Sequence, residues 1–199
     1  MPLYNSPIPN IYLWKNSEDY STVIQLAERY NIDKYYQTYK SKTRQREYIT
    51  QRILLKEIVG KKAKLIKHES GKPAILNHPY SVSFTHNDSF TGMLLSKQQC
   101  GIDIQTPTQR IVAIKHKFIN EKDFCNTTND YQTLSLIWSC KEAVFKKYGE
   151  YPIFIKENIS IVKQIDKTTF QAEVRINEDI HTTEVKTTIL EGNYLSYTL

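Results

Sequence analysis

Four short stretches of the chain carry residue types that could do chemistry together. In Gly101-Ile102-Asp103-Ile104-Gln105, an extended backbone buries Ile102 and Ile104 on one face and turns Asp103 and Gln105 to the other. An acid between two isoleucines is a costly way to build a core strand. It either caps a nearby backbone amide or serves a ligand, and the pentapeptide leaves both open. In Trp138-Ser139-Cys140-Lys141-Glu142-Ala143-Val144-Phe145-Lys146-Lys147, helical spacing puts Trp138, Glu142 and Phe145 on one side, with Lys146 one turn after Glu142. A Glu–Lys pair at this spacing is ordinarily solvated and worth only ~0.3–0.5 kcal/mol. Beside a Trp and a Phe it sits on the half-buried side, where solvated pairs seldom lie. Gly71-Lys72-Pro73 reads as a tight turn presenting a lysine. Thr85-His86 ends a strand, where hydroxyl and imidazole can meet a ligand, although a lone His is more often structural. Arg44, Arg46 and Arg52 share one helix. Arginine grips phosphate with two parallel hydrogen bonds, yet a basic helical face is usually just solvated. Taken singly, none of the four is decisive.

The elements that must position these residues run twice along the chain. Ile11-Tyr12-Leu13-Trp14 is a short apolar stretch, and a helical region follows. Ser41 to Val59 then forms an amphipathic helix with Tyr48, Ile49, Ile53, Leu54 and Ile58 on its apolar side and Gly60 as its stop. Strands are expected over 64–67, 81–85 and 91–96. The second half opens at 101–104 and passes through helical segments in which Ile111, Ile114 and Phe118 make one stripe flanked by Arg110 and Lys117. A helix follows over 131–148, then strands near 159–164, 169–176, 183–189 and 193–198. Strand, helices and meander, repeated, predict an α+β fold. Its two similar halves, 1–100 and 101–199, would be related by a pseudo-twofold, with a ligand cleft between them.

Composition narrows the function classes. The 199 residues carry 27 Lys and Arg against 21 Asp and Glu, a net charge of +6. That length suits one large domain or two of about 100 residues. With 24% charged and 40% hydrophobic residues, the chain reads as globular, not disordered. No apolar run approaches the ~18 residues of a membrane span. Met1-Pro2-Leu3-Tyr4-Asn5-Ser6-Pro7 lacks the basic and apolar regions of a secretory signal. Cys100, Cys125 and Cys140 are odd in number and widely spaced, which speaks against a disulfide framework or a Cys-based zinc site and for a reducing cytoplasm. The positive balance permits nucleic acid, a phosphorylated cofactor or an acidic protein as partner. Abundant tyrosines could stack on single-stranded nucleic acid. Tyr30, Tyr35, Tyr36 and Tyr39 read more simply as the wet side of a helix or loop, and no RNP, KH or helix-turn-helix signature is present.

The order and spacing of the four stretches match a family. Gly-Lys-Pro, Ser-x-Thr-His, Gly-Ile-Asp-Ile and then Trp-Ser-x-Lys-Glu-Ala-x-x-Lys resemble the 4′-phosphopantetheinyl transferases. The similar type is the monomeric, surfactin-synthetase-activating one, a pseudo-dimer of two α+β halves. The resemblance runs from roughly Lys40 to Tyr148; beyond it only length and element order agree. It implies an enzyme that moves the 4′-phosphopantetheine arm of coenzyme A onto a serine of an acidic acyl or peptidyl carrier protein, releasing 3′,5′-ADP. It also implies Mg²⁺, or Mn²⁺ in its place, held by Asp103 and Glu142. The coenzyme A phosphates would be gripped by Lys72, Thr85, His86 and Lys146, with Arg44 and Arg52 in support. Asp103, Glu142 and Lys146 form the implied catalytic set, with Glu142 or a water that it orients as base.

Two positions depart from that pattern. Many relatives have an acid where this chain has Gln105, whose amide oxygen can still ligate or hold a metal water but brings no charge. Lys117-Phe118-Ile119-Asn120-Glu121-Lys122 matches the family's Phe-x-x-x-Glu only loosely, Glu121 coming one residue early. The rival expectation is a carrier-protein or nucleic-acid binder that kept the fold and lost the chemistry.

Overall fold

The computed structural model describes residues 3–4 and 6–199; Met1, Pro2 and Asn5 of the N-terminal stretch lie outside the described residues. The first half runs β1 (Leu3–Tyr4), β2 (Ile11–Lys15), α1 (Tyr20–Arg29), a 3-10 turn (Lys34–Thr38), α2 (Lys42–Ile58), β3 (Leu65–Lys67), β4 (Pro73–Ile75), β5 (Ser81–His86) and β6 (Phe90–Ser96). The second runs β7 (Gly101–Gln105), α3 (Arg110–Ile114), a 3-10 turn (Lys115–Lys117), α4 (Tyr131–Lys147), α5 (Ile155–Asn158), β8 (Ile159–Gln164), β9 (Thr169–Ile176), β10 (Asp179–Leu190) and β11 (Asn193–Thr198). The fold is α+β with two antiparallel sheets, ordered β1-β2-β6-β5-β4-β3 and β7-β11-β10-β9-β8. With β1 set aside, the two orders are the same. An opening strand leads to helices, and the last strand of a four-stranded meander returns beside it.

Each sheet has one face under helices, and the two sheets meet where β5 and β6 of the first approach β7 of the second. The first helical layer buries Val23, Ala27, Ile49 and Ile53 with Trp14, Val82 and Met93. On the second sheet, Leu134, Ile137 and Val144 of α4 pack with Ile161, Phe170 and Val185. Between the sheets lies a third core of Ile11, Leu13, Phe90, Leu94, Ile102, Ile104, Leu190 and Leu195. Cys100, at the expected boundary, is buried in this shared core. The halves therefore meet through packed apolar surface, not a linker.

Local chemistry sets most element ends. Asp19 and Asp130 cap α1 and α4 by accepting from the backbone N–H of Thr22 and Thr133. β9–β10 and β10–β11 are joined by two-residue turns, Asn177-Glu178 and Glu191-Gly192, with Asn177, Glu191 and Gly192 at positive φ. The early turn explains why β10 starts at Asp179 and not near 183 as expected. The structure differs from expectation at three other points. Pro73 opens strand β4 immediately after the turn, as proline can at the first position of a strand. The stripe over 111–118 is a short α3 and a 3-10 turn, with Ile111 and Phe118 buried as core and only Ile114 exposed. Tyr36, read as surface, is buried. Among the described residues, no helix is long and apolar enough to cross a membrane.

Candidate functional site

β7 is an edge strand of its sheet, so alternate backbone groups along it lack a ladder partner. The other half supplies them. Ser83 Oγ and Thr85 Oγ1 on β5 accept from the N–H groups of Ile102 (3.2 Å) and Ile104 (2.8 Å). The spacing Ser-x-Thr follows from the strand period of two, because both hydroxyls must leave β5 on the same side. The Ile102 carbonyl accepts from Lys146 Nζ at 2.9 Å. The same ammonium donates to Asp103 Oδ1 at 2.8 Å, and Thr85 Oγ1 reaches that oxygen at 3.3 Å. Asp103, Thr85 and Lys146 are thus one cluster. Thr85, expected at a cofactor phosphate, is 1% exposed and spends its hydroxyl on β7.

Glu142 joins this cluster electrostatically. Burial pushes its carboxyl above the usual carboxylate range; Lys146 pulls it down and the charge of Asp103 pushes it up. The sign for stability follows. An acid whose folded pKa is raised leaves the fold at full strength below its unfolded pKa of 4.5 and weakens it as pH rises through the folded value. Glu142→Gln is therefore expected to raise the urea midpoint at pH 7 and to leave it unchanged near pH 4. A midpoint at pH 7 no higher than wild type would show that the carboxylate carries no burial cost.

The approach of β7 to α4 depends on Gly101. A Cβ there would lie 1.8 Å from the Ala143 carbonyl oxygen and 2.7 Å from the Lys147 nitrogen. These are backbone atoms that cannot rotate away. Gly101→Ala is expected to cost about 1–3 kcal/mol by overpacking, read from the denaturant midpoint. It should also impair whatever Asp103 and Glu142 do jointly.

A cavity of about 850 Å³ lies between the halves. Its walls include Arg44, Arg52, Lys67, Lys72 and His86 from the first half and Lys146 from the second. Lys146 joins the cavity to the Asp103 cluster. Among the described lining residues Glu47 is the only acid, and it holds two of the basic side chains: His86 through Nε2 at 2.7 Å and Arg44 through Nη1 at 2.7 Å. Tyr35, Tyr39 and Tyr48 form a ring cluster at one wall. Arg52 stacks on Tyr48 at 3.1 Å and lies 3.7 Å from Asp33. Lys72 is not presented by its turn. Its side chain is 5% exposed, and Nζ donates to the Lys147 carbonyl (2.7 Å) and Gln99 (3.0 Å), beside Glu150 at 3.6 Å. It ties the β3–β4 turn of one half to the C-terminal end of α4 in the other, where a cation is favourable.

The residues foreseen at the site therefore fall into three groups. Asp103, Glu142, Lys146 and Thr85 come together at β7 and α4. Arg44, Arg52 and His86 line the cavity with side-chain partners of their own. Lys72 borders the cavity but is spent on the helix end. Gln105 turns its amide onto the Thr106 carbonyl at 2.8 Å. Sequence reasoning missed Glu47, whose only signal was its place three residues after Arg44. Comparison with known protein families finds no match, and no curated protein matches the chain significantly.

Proposed function

We propose that the protein is a 4′-phosphopantetheinyl transferase, acting as a monomer on coenzyme A and an acidic carrier protein. The observation that carries this reading is the meeting of Asp103, Glu142 and Lys146 at the rim of a cation-lined cavity between two halves of like topology. The matching strand orders support a pseudo-twofold relation between 1–100 and 101–199. The volume lies in the range of sites that enclose a ligand of several hundred daltons, and the lining suits a molecule with several phosphates.

The donor set fits Mg²⁺. The charge of Asp103 disfavours the ionised form of Glu142, and a hard cation held between the two carboxylates would relieve that repulsion. Among the described residues no group of three or more His, Cys, Asp and Glu side chains forms a metal cage. That suits an ion that takes one or two carboxylates and keeps its other positions for water and substrate oxygens. Asp103 and Glu142 would hold it, with no charge from Gln105; when bound, it would neutralise the pyrophosphate oxygens.

The chain's own residues do the rest. Lys146 uses two of its three N–H donors on Ile102 and Asp103, leaving one for a phosphate oxygen on the leaving side. The carrier serine attacks the β-phosphorus in line, and 3′,5′-ADP departs. Glu142, or a water that it orients, takes the serine proton. Arg110 and Lys117, beside exposed Ile114, are the charges available to orient an acidic carrier. The test is mass spectrometry of an apo carrier protein incubated with the protein, coenzyme A and Mg²⁺. A gain of one phosphopantetheinyl group on one serine is expected. Unchanged carriers of the fatty-acid, polyketide and peptide types would overturn the reading.

A further inference from the structure

The acid in the cavity wall calls for an account, because an anion site lined by cations is weakened by a carboxylate. Glu47 and Arg44 lie three residues apart on α2, and such pairs are often idle surface contacts. Three observations set this one apart. Its side chain is only 13% exposed. One carboxylate oxygen takes Arg44 and the other takes His86 on β5, a different element. Burial alone would push the carboxyl up, yet the hydrogen bonds and charges of His86 and Arg44 outweigh it and hold Glu47 below the usual carboxylate range.

We infer that Glu47 is a positioning residue that builds His86 and Arg44 into one two-pronged clamp for a phosphate monoester. With Nε2 donating to Glu47, the imidazole has a fixed ring orientation and offers only its Nδ1 edge to a ligand. Arg44 is otherwise exposed, and pairing restricts a side chain that would lose much rotamer freedom on binding. The carboxylate repels the incoming phosphate, but each of its oxygens is engaged by Arg44 or His86, and the orientation it imposes outweighs that cost. The inference rests on the cavity taking coenzyme A and names the residue that sets its preference for the phosphorylated nucleotide.

The experiment compares calorimetric affinities for coenzyme A and 3′-dephospho-coenzyme A in wild type, Glu47→Ala, His86→Ala and the double variant, with Glu47→Gln as the conservative control. The expected result is a drop of about tenfold in the preference for coenzyme A in each single variant. The double variant should drop no further, since the two residues act as a unit. Glu47→Gln, whose amide oxygen can still accept from Nε2, should recover much of the preference. Multiplying losses in the double variant, or a stronger preference in Glu47→Ala than in wild type, would overturn the clamp while leaving the transferase reading intact. A wild type that binds neither nucleotide would overturn both.

Discussion

Asp103→Asn is expected to slow phosphopantetheine transfer by at least about a hundredfold, the scale of losing one oriented electrostatic group, with little change in melting temperature. Asparagine keeps an oxygen for Lys146 and Thr85, which hold Asp103 at 2.8 and 3.3 Å, and removes only the charge. Asp103→Ala should slow transfer as much and also lose stability, because Lys146 then keeps a single acceptor, the Ile102 carbonyl. The measurement is the initial rate of carrier loading across a Mg²⁺ titration, beside thermal melts of both variants. A rate within a few-fold of wild type for Asp103→Asn at saturating Mg²⁺ would remove Asp103 from the site.

Lys141→Met is expected to cost about 3–5 kcal/mol of folding stability, the penalty for leaving one member of a buried ion pair alone. The Lys141 side chain has no exposure, and its ammonium spends all three donors at 2.7 Å on the Phe118 carbonyl, the Ile159 carbonyl and Asp123 Oδ2. Asp123 in turn accepts from the backbone N–H of Asn120 and Ile161. This knot closes the open edge of β8, as Ser83, Thr85 and Lys146 close that of β7. Methionine fills the volume but leaves the Phe118 carbonyl without this donor and Asp123 without its counter-charge, while Asn120 still donates to the Ile159 carbonyl. Adding Asp123→Asn should recover part of the loss, because no full charge then stays buried. Denaturant midpoints of the two variants decide it. A loss below about 1 kcal/mol, the size of an average substitution, would mean that water enters and serves the knot.

Lys141 also marks where reading the chain was insufficient. In Trp138-x-x-Lys141-Glu142 the two charged neighbours look alike, yet they point a third of a turn apart on α4. One enters the core and the other approaches Asp103. Periodicity found both long helices and eight of the strands to within a few residues, because those elements carry continuous apolar faces. It failed where a turn sets the boundary, at β4 and the start of β10, and where helix gives way to a 3-10 turn after Ile114. The alternation of Gly101-Ile102-Asp103-Ile104 was legible and so was the juxtaposition of Glu142 with Lys146. The partners of His86 and Lys72 were not. Both contacts join residues far apart in the chain, Glu47 with His86 and Lys72 with Lys147, and no local pattern encodes them.

The bare backbone contact at Gly101 has a consequence for how this molecule tolerates change. The offset between the strand bearing Asp103 and the helix bearing Glu142 is set by main-chain atoms in contact, not by the size of any side chain between them. Substitutions in the surrounding core can vary volume and shape without altering that offset, as long as position 101 stays bare. The two carboxylates are therefore spaced by the one dimension of a protein that mutation elsewhere leaves alone. Apolar positions of the second core, such as Leu134 and Ile137, are free to drift among residues of similar bulk while the spacing of the two carboxylates persists.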